Sequence, residues 1–179
     1  MLNDTVLLYE DECHFREKQT PTSTWFLKGK QRKFSVYGNP FSVSLFGSVD
    51  AETGAFLCME AEKCNAQTFQ QFLTYVLDKN KEKHVIMIVD NAKYHHAKVL
   101  QDFLKQKGSR LTLLFLPPYS PNLNLVERVW KLLKETILAN QSYKKRENLI
   151  EAIEKFLQNI VENPTKILTR IRKAWMLGF

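Results

Sequence analysis

Paired cysteines, phosphate-binding glycines and long apolar runs are all missing from this 179-residue chain. No apolar run approaches the ~20 residues that span a bilayer. The N-terminal MLNDTVLLYEDE is acidic and lacks the basic, apolar and small-residue order of a signal peptide. A soluble, non-exported, cytoplasmic protein with no membrane partner is the expectation. Three cysteines, Cys13, Cys58 and Cys64, make an odd number without a CxxC pair, so reduced thiols are expected rather than a disulfide framework. His14, His84, His95 and His96 stand at no zinc-ligand spacing, and no HExxH occurs. The absence of GxxxxGKS/T and GxGxxG argues against a phosphate-cradling nucleotide fold, and no GxSxG supplies a nucleophile. There is no internal repeat, linker or low-complexity segment, so 1–179 reads as a single domain.

What is present is ordinary globular material with a basic bias. Hydrophobic residues are 44% and charged residues 25%, which excludes a disordered tail. Twenty-six Lys and Arg against nineteen Asp and Glu give a formal charge of +7. A basic surface favours polyanions, nucleic acid first among them, although charge alone fits many proteins that bind none.

Along the chain, Val6–Tyr9 is β-prone and ends at Glu10-Asp11-Glu12. Residues 13–40 read as loop and a ragged hairpin punctuated by Pro21, Gly29, Gly38 and Pro40. Phe41–Val49 and Ala55–Glu60 form a hairpin around the Asp50–Gly54 turn. Asn65 caps a helix to about Asp78, with Phe69, Phe72, Leu73, Val76 and Leu77 at helical spacing. Val85–Val89 is continuously apolar, as in a parallel strand covered on both faces. A helix follows from about His95 to Lys107, then a strand at Leu111–Leu116 and a stiff loop at Pro117–Pro121. Helices are expected at about 123–139, 145–161 and 166–176. Alternating strands and helices imply an α/β fold, a mixed β-sheet with right-handed crossovers.

Three carboxylates stand in unusual places. Asp11 ends the first strand, on the face of Leu7 and Tyr9, with Glu10 and Glu12 turned the other way; alternatively it is a solvated strand end. Asp90 directly follows Val85–Val89, where α/β sheets gather ligand sites, or it merely opens a loop. Glu127 lies on or beside the stripe of Leu123, Val126, Val129, Trp130, Leu133 and Ile137. A carboxylate there needs a cation, either a metal ion or Lys131 one turn on. Three such groups suit a hard divalent ion of the Mg²⁺ or Mn²⁺ type. Trp130 reads as core. Lys28, Lys30, Arg32 and Lys33 form one basic cluster and Arg170, Arg172 and Lys173 another; each suits phosphate contact or is a solvated face.

Three blocks resemble a known family: Tyr9-Glu10-Asp11-Glu12 with Trp25 and Lys28-Gly29, Val89-Asp90-Asn91-Ala92-Lys93-Tyr94-His95, and LPPYSPNLNLVERVWKLLK at 116–134. Over about residues 5–160 the chain resembles the DDE catalytic domain of bacterial insertion-sequence transposases, the mariner-related family six-thirty. The resemblance implies a ribonuclease H-like mixed β-sheet flanked by helices. It assigns Asp11, Asp90 and Glu127 to the three catalytic and metal-binding acids, with thirty-six residues between the last two. It implies two Mg²⁺ or Mn²⁺ ions about 3.5–4 Å apart, with Asp11 bridging them. Asn91, His95, Tyr119 and Asn124 would support them. Leu125 replaces the family's usual proline, a change of loop rigidity rather than chemistry.

The implied activity is metal-dependent cutting of DNA element ends and their joining to target DNA. Alternatives are a repurposed, non-catalytic DNA-binding module or a structure-selective nuclease of the same fold. Full transposases of this type carry an N-terminal helix-turn-helix region, whereas only Met1–Thr5 precede the first catalytic strand. The chain then reads either as a cut-down piece of such a protein or as the second frame of a split gene; expected partners are DNA, a second copy when assembled on two ends and, in the split-gene case, a separately encoded helix-turn-helix protein.

Overall fold

Alternation of apolar side chains builds the first strand and decides what it presents to each side. β1 (Thr5–Arg16) turns Val6 and Leu8 into one core cluster and Cys13 and Phe15 into the other. The computed structural model describes residues 4–16, 41–118, 120, 123–138, 143 and 145–176. The loop expected from residue 13 begins later. Cys13–Arg16 remain strand because β2 (Ser42–Asp50) pairs antiparallel with β1 from Leu8↔Asp50 to Arg16↔Ser42. Asp11 is therefore mid-strand rather than a strand end.

The expected hairpin is present. β3 (Phe56–Ala61) returns along β2 after a turn in which Gly54, at φ 74°, donates its N–H to the Asp50 carbonyl. β4 (His84–Val89) and β5 (Leu111–Phe115) add parallel strands on the other side of β1, giving the order β3-β2-β1-β4-β5.

One face is covered by α1 (Ala66–Lys79) and α2 (Lys98–Lys107). Asn65 caps α1 through a capping box with Thr68. Phe69 and Phe72 lie against Phe46, with ring centroids 5.8 and 5.6 Å apart. Residues 93–96 form a separate 3₁₀ turn, so α2 starts at Lys98 rather than at His95.

The other face is covered by α3 (Val126–Leu138), α4 (Arg146–Glu162) and α5 (Thr165–Met176), packed over β1, β2 and β3. β4 is therefore not covered equally on its two sides. Val85, Met87 and Val89 are fully buried, whereas Ile86 and Ile88 are half-buried and Leu114 of neighbouring β5 is exposed. The apolar run correctly marked a parallel strand, but the helices favour the other half of that face.

Trp130 of α3 is core, 4% exposed, and meets Phe56 edge-on at 5.4 Å. Its ring sits where a side chain at residue 47 would be. A Cβ on Gly47 would lie 2.5 Å from the Trp130 ring and 2.8 Å from Phe56. Gly47→Ala is thus expected to destabilise the fold by about 1–3 kcal/mol through overpacking. A chain of this size should then melt several degrees lower, at about 2–4 °C per kcal/mol. Thermal unfolding followed by circular dichroism checks this; an unchanged Tm would mean that α3 yields freely.

Candidate active site

Each of the three singled-out acids arrives on a different element. Asp11 projects from β1 toward the α3 side of the sheet, opposite Gly47 in register. Asp90 follows the last residue of β4. Its Oδ1 accepts the Ala92 N–H at 2.8 Å, and Nδ1 of His95 lies 3.2 Å from the same oxygen. Glu127 sits in the first turn of α3, which Asn124 caps by accepting the Val126 N–H at 3.2 Å. Asn124 also donates through Nδ2 to the main-chain carbonyl of Glu10 at 2.7 Å. One buried amide therefore joins the start of α3 to the residue beside Asp11.

Glu127 differs from its expected placement. It borders the apolar stripe but is exposed, while Val126, Val129, Trp130, Leu133 and Ile137 fill the core. It does not need a cation to survive burial, and among the described residues it forms no ion pair with Lys131. Leu125, at the usual proline position, is 4% exposed and packs into the core, so its contribution is burial.

Asp11, Asp90 and Glu127 line one open cleft of about 370 Å³ together with Asn91, Asn124 and the 116–118 segment. Asn91 closes one wall by donating to the Leu116 carbonyl. Among the described residues, no three His, Cys, Asp or Glu side chains are drawn tightly enough together to hold an ion as they stand. The acids nevertheless feel one another. Burial pushes the Asp11 carboxyl up to about 7; a hydrogen bond from the Glu12 backbone opposes this, Glu127 and Asp90 add to it, and Lys134 partly offsets it.

Of the other expected site residues, Tyr119 and the Lys28, Lys30, Arg32 and Lys33 cluster lie outside the described residues. Arg170 is engaged by Glu135, Arg172 is exposed, and Lys173 belongs to α5, with its side chain outside what is described. The three cysteines are free. Burial pushes the Cys13 thiol to about 11 and those of Cys58 and Cys64 to about 12, which leaves them unreactive.

A second group of acids lies behind the site. Glu10 is fully buried and Glu12 nearly so, both on the α1 side of β1, facing Nε2 of His95 at 4.0 and 3.7 Å. Burial raises both acids, Glu12 to about 8, and lowers His95, so each is driven toward its neutral form. The alternation Val6, Leu8, Glu10 carried this signal, since it puts a carboxylate in line with two core residues.

The raised acids fix the sign of the pH dependence. Below about pH 4, Asp11 is protonated in both folded and unfolded chains and contributes nothing to the slope. As pH rises toward 7 the unfolded chain releases its proton first, so stability falls. In metal-free protein, urea midpoints should fall between pH 4 and 8. Asp11→Asn should remove on the order of 3 kcal/mol of that fall, most of it below pH 7. The residual fall belongs to Glu10 and Glu12, opposed below about pH 6.5 by His95, whose lowered pKa makes stability rise with pH. An identical slope in the variant would mean that Asp11 has an ordinary pKa.

A family model described as DDE superfamily endonuclease matches residues 6–150. The chain is 26% identical over 159 residues to the insertion element IS630 uncharacterized 39 kDa protein of Shigella sonnei, covering 88% of this chain and 46% of that protein. The fold matches the crystal structure of the Mos1 mariner paired end complex with Mn at TM-score 0.62 and 19% identity, over 94% of this chain and 54% of that one. It matches the catalytic domain of Mos1 mariner transposase at TM-score 0.57 and 17% identity, over 94% and 80% of the two chains. The present chain thus spans about half the length of the Shigella protein and of the Mos1 chain in the Mn complex. These likenesses show the shared ribonuclease H-like fold, a mixed sheet flanked by helices.

Proposed function

The chain belongs to the DDE superfamily endonucleases, and on that premise we propose that it is the catalytic domain of a mariner-related insertion-element transposase. It would hydrolyse phosphodiesters at the element's ends and join those ends to target DNA. One observation carries the reading: Asp11, Asp90 and Glu127, far apart in sequence and borne by two strands and a helix, line the same cleft. The relatives, an insertion element protein and a mariner transposon paired end complex, support the same substrate class.

The donor set fits a hard divalent cation. All three groups offer carboxylate oxygens, Asp11 is raised by burial with Glu127 and Asp90 adding to it, and Lys134 only partly offsets this. Mg²⁺ or Mn²⁺, as two ions, would lower the pKa of an attacking hydroxyl and neutralise charge on the scissile phosphate. Asp11, fixed mid-strand, would hold the metal together with Asp90 and Glu127.

The remaining roles belong to the protein. Asn124 keeps Glu127 in register with β1, and Asn91 holds the loop that floors the cleft. The basic clusters, Lys28, Lys30, Arg32 and Lys33 with Arg172 and Lys173, would contact phosphates, giving DNA retention that weakens steeply with salt. Arg170 contributes less, because Glu135 engages it. A dimer assembled on two ends completes the proposed assembly.

Asp90→Asn should abolish Mn²⁺-dependent plasmid nicking by at least about 100-fold, exceeding the 10–100-fold typical of outer ligand-shell changes. DNA retention, read by fluorescence anisotropy, should persist. Nicking by the variant at the parental rate would refute the assignment. A parent that binds DNA yet never cuts with either metal would leave only a binding module.

A further inference from the structure

Asp90 is the most exposed of the groups around His95, its side chain half open to solvent. A carboxylate at a strand end samples several rotamers unless something holds it. The Ala92 N–H donates to its Oδ1 at 2.8 Å, and His95 Nδ1 lies 3.2 Å from the same oxygen. The same Nδ1 lies 3.1 Å from the Asp90 main-chain carbonyl. Everything around the opposite ring nitrogen is acidic. Nε2 faces Glu10 at 4.0 Å and Glu12 at 3.7 Å, beyond hydrogen-bond length, and neither Nε2 nor the two oxygens of Glu10 has a hydrogen-bond partner among the described residues. The ring itself is buried, 2% exposed, against Phe69 of α1 at 4.3 Å and Tyr94 at 4.3 Å.

We propose that His95 is the positioning residue for Asp90, its ring held by Phe69 and Tyr94 with Nε2 turned toward Glu10 and Glu12 on the far side of β1. The proposal rests on the metal-binding reading given above. Both neighbours of Nδ1 are oxygen acceptors, so Nδ1 must carry a proton and donate it. A ring flipped by 180° would set carbon against Asp90 and lose the Nδ1 contacts. One carboxylate oxygen of Asp90 is thereby spoken for, and Oδ2 is left to act as a single-oxygen ligand. The strand that carries Asp11 on one face thus lies, by its other face, against the residue that steadies Asp90.

Manganese affinity, read as free Mn²⁺ by electron paramagnetic resonance, tests this without turnover. Asp90→Asn is the control for the metal reading. His95→Phe keeps the packing on Phe69 and removes the donor; it should weaken Mn²⁺ binding about 10–100-fold, the range for residues that orient a ligand. His95→Asn places an amide donor where Nδ1 stood and should recover most of the loss. If Asp90→Asn weakens binding while His95→Phe does not, or if His95→Asn is no better than His95→Phe, the positioning role is overturned and the metal reading stands. If Asp90→Asn leaves binding unchanged, the metal reading falls. The inference is then decided by ring ¹⁵N spectra of the unsubstituted protein and of Asp90→Asn at pH 7, assigned by removing His14, His84 and His96 in turn. The same spectra decide it should the His95 variants fail to fold. A protonated Nδ1 whose ¹⁵N shift moves in Asp90→Asn supports the proposal; an unprotonated Nδ1, or one whose shift is unmoved by Asp90→Asn, overturns it.

Discussion

The hydrogen bond from Asn124 to the carbonyl of Glu10 joins residues 114 positions apart and is buried from solvent. The geometry of the cleft depends on it. β1 reaches that point by pairing with β2 and β4, and α3 reaches it by packing Val126, Val129 and Trp130 on the sheet. Packing alone would allow α3 to slide along its apolar stripe. A directional bond between a helix cap and a strand carbonyl does not, because a buried amide left unmet costs more than the bond contributes. Glu127 is one turn beyond that anchor.

The second organising constraint is charge. Glu10, Asp11, Glu12, Asp90 and Glu127 collect at one rim of a protein whose overall charge is +7. Such crowding opposes folding when the groups ionise, so it persists only where a cation or a proton relieves it. Alternation along β1 divides the load. Asp11 faces the open cleft, where an ion can reach it, while Glu10 and Glu12 face a closed aromatic pocket containing His95 and Phe69, where protons are the available relief. One strand therefore supplies both the acid that faces the cleft and the buried acids behind it.

Much of this was legible in the sequence. The period-two pattern around Asp11, the apolar run before Asp90 and the helical stripe through Trp130 each placed an acid on the correct element, and the Asn65 cap and the 50–54 turn fell where their local chemistry requires. Less legible were features set by tertiary neighbours. The length of β1 depends on pairing with β2, which hydropathy after Cys13 does not announce. Glu127 reads as half-buried because helical spacing gives an angle but not the extent of the covering sheet. The unequal cover of β4 follows from where α3–α5 lie across the sheet, a choice no single strand encodes. The resemblance points to His95 as a supporting residue, but its setting against Glu10 and Glu12 depends on tertiary packing.

The absent side chain at position 47 has a consequence for descent. The indole of Trp130 occupies the volume that any other residue there would claim, directly across from Asp11. The two positions can therefore drift only as a pair, with a larger residue on the strand accompanied by a smaller ring on the helix. A lineage that trims the ring first gains freedom at residue 47 but loosens the helix that carries Glu127. Tolerance to change at this inconspicuous strand position is thus bound to the integrity of the acidic cleft.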